Sequence, residues 1–128
     1  MPKDIYSRCT ILAKSYYNLL ARRREKEREI LLSSPPPGDG MPRSHGNGNP
    51  TAAKAERLIM CKDELDRKIK ALQSAMEAMP DDTAREFIRK NLYDRLPMRY
   101  IDSPLPEISM KRIRRKFICL VAINLGEI

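Results

Sequence analysis

An apolar stripe in the middle of the chain constrains the fold most. Seven apolar residues share one face of a predicted helix: Leu58, Cys61, Leu65, Ile69, Leu72, Met76 and Met79. On a helical wheel they fall within about 80°, a narrow stripe typical of one helix packed along another. Thr51 offers a helix start and Pro80 a stop, so we predict a long helix over residues 51–80.

The stripe needs a partner helix, and the N-terminal segment is a candidate. Residues 1–32 are predicted to form one long helix, with an apolar face that comprises Ile5, Cys9, Leu12, Tyr16 and Leu19. Two alternatives are open at this point. The two long helices form an antiparallel hairpin, or the stripe packs against a second copy of the chain in a homodimer.

Residues 33–50 separate these two helices and have a different composition. They include five Pro and four Gly in eighteen residues, which disfavours both helix and strand, so we predict a linker. The only His of the chain, His45, lies in this linker and is expected to be solvated.

The charge balance indicates the class of partner. Lys and Arg number 25 against 17 Asp and Glu, a net charge of +8, so a polyanion is expected, with nucleic acid ahead of an anionic membrane. No stretch approaches the roughly 18 consecutive apolar residues of a membrane span, so no membrane is expected.

The residues that carry enzyme chemistry do not form a recognisable set. There is no Ser/His/Asp or Cys/His grouping, no glycine loop for phosphate and no metal-ligand spacing, so we predict no catalysis, cofactor or metal. Cys9, Cys61 and Cys119 are far apart and are expected to be small buried apolar side chains. Their odd number and the polar start of the chain predict a reducing cytoplasm.

Residues 81–128 are predicted to form a separate C-terminal helical region. A helix is expected from Asp81 to about Tyr93, with Phe87, Ile88 and Leu92 facing inward. A proline-rich stretch follows, and Ser109 is then expected to cap a last helix over residues 110–125. Gly126 suits the left-handed position that ends a helix.

The last helix combines an apolar and a basic face. Its predicted apolar arc comprises Met110, Ile113, Phe117, Leu120 and Val121. The opposite arc is basic over the first two turns and comprises Lys111, Arg112, Arg115 and Lys116. Further along, that second arc becomes apolar at Cys119, Ala122 and Ile123, so we expect this half to be enclosed.

Concentrated positive charge near a helix start is unfavourable unless anions relieve it. We therefore expect the first half of this helix to bind DNA through Ser109, Lys111, Arg112, Arg114, Arg115 and Lys116. A solvated basic face and contact with an acidic protein or lipid are the alternatives. The run Arg22, Arg23 and Arg24 is expected to be a solvated helix face or to make secondary phosphate contacts.

The C-terminal third resembles a known family. It looks like the C-terminal domain of RinA/ArpU-type phage late-gene transcriptional activators, and those proteins resemble region 4 of sigma factors. The resemblance is carried by three segments: Glu86-Phe87-Ile88, the segment from Ile108 to Ile118, and the ending Ala122-Ile123-Asn124-Leu125-Gly126. The residues in matching places are Ser109, Arg112, Arg114, Arg115, Lys116, Ala122, Leu125 and Gly126.

The resemblance implies a helix-turn-helix-like unit in which Ser109 opens the DNA-binding helix. It further implies a phage or prophage transcription regulator that binds double-stranded DNA in the bacterial cytoplasm, at the nucleoid, and recruits host RNA polymerase. The family's regular first helix falls here on an interval that contains Pro97, Pro104 and Pro106, which favours contacts to the DNA backbone over reading of sequence. The alternative function is a phage protein-interaction module, such as an inhibitor of a host defence nuclease or a small packaging component.

Overall fold

The fold consists of helices, as predicted. A computed structural model describes residues 1–33 and 50–128, and no strand occurs among them. The α-helices are α1 (Lys3–Lys14), α2 (Tyr16–Ser33), α3 (Pro50–Glu77), α4 (Asp82–Ile88) and α5 (Glu107–Asn124). A π-turn (Arg89–Tyr93) continues α4, and a 3-10 turn (Met98–Tyr100) precedes α5. The predicted linker, including His45, lies outside the described residues apart from its two ends.

The N-terminal segment forms two helices where the sequence predicts one. The break is at Ser15, whose Oγ donates a hydrogen bond to the carbonyl of Ile11 at 2.9 Å. A serine hydroxyl that bonds the preceding turn tends to bend a helix. Because of this break, α1 packs against α5 while α2 packs along α3.

The helices α2 and α3 lie side by side and run in opposite directions. The hydroxyl of Tyr16 accepts a hydrogen bond from Gln73 at 3.1 Å, and Arg23 pairs with Asp66 at 3.5 Å. Most of the apolar stripe is buried within this one chain, at Leu58, Leu65, Ile69, Leu72 and Met79. A homodimer through the stripe, one of the two alternatives above, would therefore have little apolar surface left to bury there.

Cys61 is the exception in the stripe, because it is exposed. The hydrogen bonds from α3 to the end of α5 are made at Arg67, which donates to the carbonyl of Leu125 at 3.2 Å, and at Ala71. Cys61 lies nearer the start of α3, beside the end of α2. The expectation of three buried cysteines is thus wrong for Cys61, holds for Cys9, and is half met at Cys119, which is partly exposed.

The core lies where α1, α3, α4 and α5 meet. The Asp81 side chain accepts a hydrogen bond from the Ala84 amide at 2.8 Å and caps α4, as predicted. The inward residues of this region are buried as expected: Phe87, Ile88 and Leu92. Tyr93 stacks on Tyr16 with ring centroids 4.2 Å apart, and burial raises the pKa of its hydroxyl.

The helix α5 begins earlier than predicted. Pro106 precedes its first residue, so Ser109 lies inside the first turn and makes no cap; the prediction of a serine cap is wrong. Proline is well suited to this boundary because it has no amide hydrogen to leave unsatisfied. At the other end Gly126 has a φ of +74°, and the Glu127 amide donates to the carbonyl of Ala122 at 2.9 Å, which is the predicted left-handed helix ending.

Candidate nucleic-acid interface

The helix α5 is held by the core along one side and exposed along the other. The buried side comprises Met110, Phe117, Ile118, Val121 and Ala122. Four basic side chains are exposed on the first half of the helix: Lys111, Arg112, Arg115 and Lys116. A rigid, partly buried helix therefore presents these cations to the solvent.

Acidic side chains leave most of this positive charge uncompensated. Lys111 pairs with Glu107 one turn earlier at 3.4 Å, and both side chains are largely exposed, so the pair is weak. For Arg112, Arg115 and Lys116, no carboxylate in residues 1–33 or 50–128 lies within ion-pairing distance. Three cations of the predicted set are thus open to an external anion.

Arg114 differs from the other predicted contacts because it is partly buried. Its Nη1 donates a hydrogen bond to Oδ1 of Asn91 at 3.2 Å, and Nδ2 of Asn91 donates to the carbonyl of Leu96 at 2.9 Å. The Nε of Arg114 is buried with no hydrogen-bond partner among the described residues. Asn91 is itself only 5% exposed, so it fixes the position of Arg114 rather than leaving it a mobile surface cation.

Replacing Asn91 with Ala is expected to lower the free energy of unfolding by about 1–3 kcal/mol, because Arg114 Nη1 and the Leu96 carbonyl both lose a partner. Urea unfolding followed by circular dichroism measures this loss. The matched control is Asn124→Ala, which removes one hydrogen bond of an exposed residue to the Ala71 carbonyl and should cost less. Equal losses in the two variants would contradict the positioning role of Asn91.

A recess opens beside the basic face. It has a volume of about 450 Å³ and is lined by four basic residues of α5, by Tyr6 of α1 and by Met98 of the 3-10 turn. Sequence reasoning missed Tyr6 and Met98, because their place beside α5 results from the packing of α1 and the 3-10 turn. The only sequence feature that could have pointed to Tyr6 is its position next to Ile5, at the edge of the predicted apolar face.

The second basic stretch does not join this surface. Arg22 and Arg24 are exposed, whereas Arg23 is paired with Asp66 and is not a free phosphate contact. The partner of Arg23, Asp66, is next to Arg67, and Arg67 contacts Leu125 at the C-terminal end of α5. Arg23 is therefore near that end of α5 and not near its basic first half. Lys116 lies nine residues before Leu125, about 13 Å along the helix, and the other cations of α5 are farther still.

The second half of α5 is less enclosed than predicted. Ala122 is fully buried and Cys119 is partly buried, but Ile123 is 51% exposed. The helices α1 and α3 both pack against α5, but Ile123 and the neighbouring Asn124 stay exposed. The expectation of an enclosed second half is therefore wrong at Ile123.

Residues 94–106 contain a single 3-10 turn and no α-helix. The regular first helix of a helix-turn-helix thus has no counterpart directly before α5. The three prolines explain this, because each removes an amide donor and restricts the residue before it.

Within the described residues, no three His, Cys, Asp or Glu side chains are grouped so that they could hold a metal ion. None of the described helices has the length and hydropathy of a membrane-spanning segment. Comparison with protein-family models, with curated proteins and with solved structures found no match to this chain.

Proposed function

We propose that this protein is a DNA-binding regulator of the phage or prophage type, which contacts DNA phosphates through the first half of α5. The observation that carries the proposal is the set of exposed cations without acidic partners, Arg112, Arg115 and Lys116, on a helix held by the core. Phosphate contacts supply most of the affinity of such surfaces, and they require exposed Lys and Arg on a rigid support.

The spacing of these cations supports an anionic partner. Lys111 with Arg115 and Arg112 with Lys116 are like charges four residues apart, and each such pair destabilises a helix by about 0.2–0.5 kcal/mol. A phosphate between two cations converts this repulsion into attraction. The free protein is expected to tolerate the cost because the buried side of α5 holds the helix in place.

The mode of binding that we propose is dominated by the DNA backbone. A regular helix-turn-helix positions its second helix in the major groove with the help of the first, and residues 94–106 here form only a 3-10 turn. Phosphate contacts tolerate looser positioning than contacts to base edges. A modest preference between DNA sequences is therefore expected, together with a strong dependence on salt.

A salt titration tests the proposal. Fluorescence anisotropy with a labelled duplex should show log affinity falling linearly with log salt at a slope of about −3.6 if four cations contact phosphates. This slope corresponds to a loss of roughly a hundredfold between 50 and 200 mM salt. Absence of duplex binding at 50 mM salt, or a slope near zero, would refute the proposal.

A second candidate, a protein-interaction module, is favoured by exposed apolar side chains at the end of α2 and in the first half of α3. Leu31 and Leu32 are 76% and 78% exposed, and Met60 is 70% exposed. The ratio of absorbance at 260 and 280 nm distinguishes the candidates, because a DNA-binding chain purified at low salt carries nucleic acid. A preparation free of nucleic acid that also fails to bind duplex DNA would favour this module.

A further inference from the structure

The recess beside the basic face continues into a second one. This second recess has a volume of about 530 Å³ and lies between the start of α1 and the middle of α5. Tyr6 and Arg115 line both recesses, so the two adjoin at these side chains. Together they form a groove between α1 and α5, which we call the α1/α5 groove.

The α1/α5 groove is strongly cationic. Its basic lining residues are Lys3, Lys111, Arg112, Arg114 and Arg115, and no carboxylate of residues 1–33 or 50–128 lines either recess. Its other walls are largely apolar and include Met1, Met98 and Cys119. A groove with this lining attracts an anion and also offers surfaces on which an uncharged ring can pack.

The shape of this surface is the main argument about its ligand. A helix that reads a DNA duplex projects into the major groove, which is about 12 Å wide. The basic residues Lys111, Arg112, Arg114 and Arg115 instead line a concave surface beside α1. The phosphates of a duplex can contact the exposed rim of such a recess, but the duplex is too broad to enter it. A single strand is narrow enough to enter and brings phosphates and bases together.

The dimensions and the aromatic residue agree with a single strand. From Lys111 to Cys119 α5 advances about 12 Å, the length of three to four stacked nucleotides at 3.4 Å each. Tyr6 lies where the recesses meet. Proteins that bind single strands combine a positive groove with aromatic rings on which bases stack.

We propose that the α1/α5 groove binds an unpaired DNA strand, with phosphates near Arg112 and Arg115 and a base against Tyr6. This inference rests on the proposed function, because it assigns a form of DNA to the same basic surface. The protein then prefers DNA with a single-stranded segment over fully paired DNA of the same length.

The test compares three labelled DNAs: a blunt duplex, the same duplex with a tail of six unpaired thymidines, and a single-stranded oligothymidine. We expect the tailed duplex and the single strand to bind at least tenfold more tightly than the blunt duplex in anisotropy titrations at 100 mM salt. Equal affinity for blunt and tailed duplex would overturn the inference while the proposed function stands. No binding to any of the three would overturn both.

Substitutions locate the binding in the groove. Tyr6→Leu should weaken binding of the single strand about tenfold, in line with the loss of one stacked base. Tyr6→Phe should retain the wild-type affinity, since the ring is kept. The control is Tyr100→Leu, at an exposed tyrosine that lines neither recess. A loss of the same size in the control would overturn the assignment to Tyr6.

A second variant covers the case in which Tyr6→Leu does not fold, since Tyr6 also packs partly on the core. Ser7 is exposed and lines the second recess, so Ser7→Glu places a negative charge in the groove without disturbing the interior. This variant should bind the single strand at least fivefold more weakly and melt at the wild-type temperature. Unchanged affinity would overturn the inference.

Discussion

Replacing Lys111, Arg112, Arg115 and Lys116 together with glutamine is expected to remove most of the affinity for duplex DNA. If each cation neutralises one phosphate, their removal takes away the release of about four counterions. The expected loss is at least a hundredfold in affinity at 50 mM salt. The residual binding should also lose most of its salt dependence, which anisotropy titrations at several salt concentrations measure.

The matched control removes the same charge elsewhere. Four basic residues are exposed on α2 and α3, and no acidic side chain of the described residues pairs with them: Arg28, Lys54, Arg57 and Lys70. Either set of four substitutions lowers the formal net charge from +8 to +4. The control should therefore lose only the part of the affinity that depends on total charge, at most a few-fold. Equal losses in both variants would show that α5 has no special role.

The second prediction with a large expected effect concerns the packing that holds α5, and with it the basic face, on the core. Phe117→Ala is expected to lower the free energy of unfolding by about 3–5 kcal/mol, because it leaves a cavity at a fully buried position. The lost ring also packs edge-on against Tyr93, with centroids 6.3 Å apart. Urea unfolding followed by circular dichroism measures the change.

A control on the same helix separates the loss of stability that is due to lost burial from the change that is due to helix propensity. Ile108 is 66% exposed on α5, so Ile108→Ala should change stability by no more than about 0.5 kcal/mol. A small effect of Phe117→Ala would mean that α5 is not held by the core. The DNA proposal would then lose its rigid support, even if the basic residues were shown to bind.

Local patterns were sufficient to predict several elements. The apolar stripe of α3, the cap of α4 at Asp81 and the ending of α5 at Gly126 agree with the structure. Each depends on residues close together in the chain, such as an apolar repeat, a capping carboxylate or a residue that tolerates positive φ. The same reasoning placed the start of α5 incorrectly, because Pro106 and Ser109 are both acceptable starts when only propensity is considered.

The candidate site was predictable as a list of basic residues but not as a surface. A helical wheel separates Lys111 and Arg112 from the apolar arc, and the structure leaves both exposed. The helical wheel could not show that Asn91 holds Arg114, or that Tyr6 and Lys3 lie beside α5. These neighbours are far apart in the chain, and only the packing of α1 against α5 brings them together.

The helical class, the apolar faces and the basic character of α5 were readable from the order of the residues, because helix periodicity depends on near neighbours and charge on composition. The folded chain was needed to see that α2 packs along α3, that the first helix divides at Ser15, and that a cationic groove opens between α1 and α5. An apolar stripe specifies that a surface must be covered, whereas the identity of its cover depends on which arrangement buries the most apolar area.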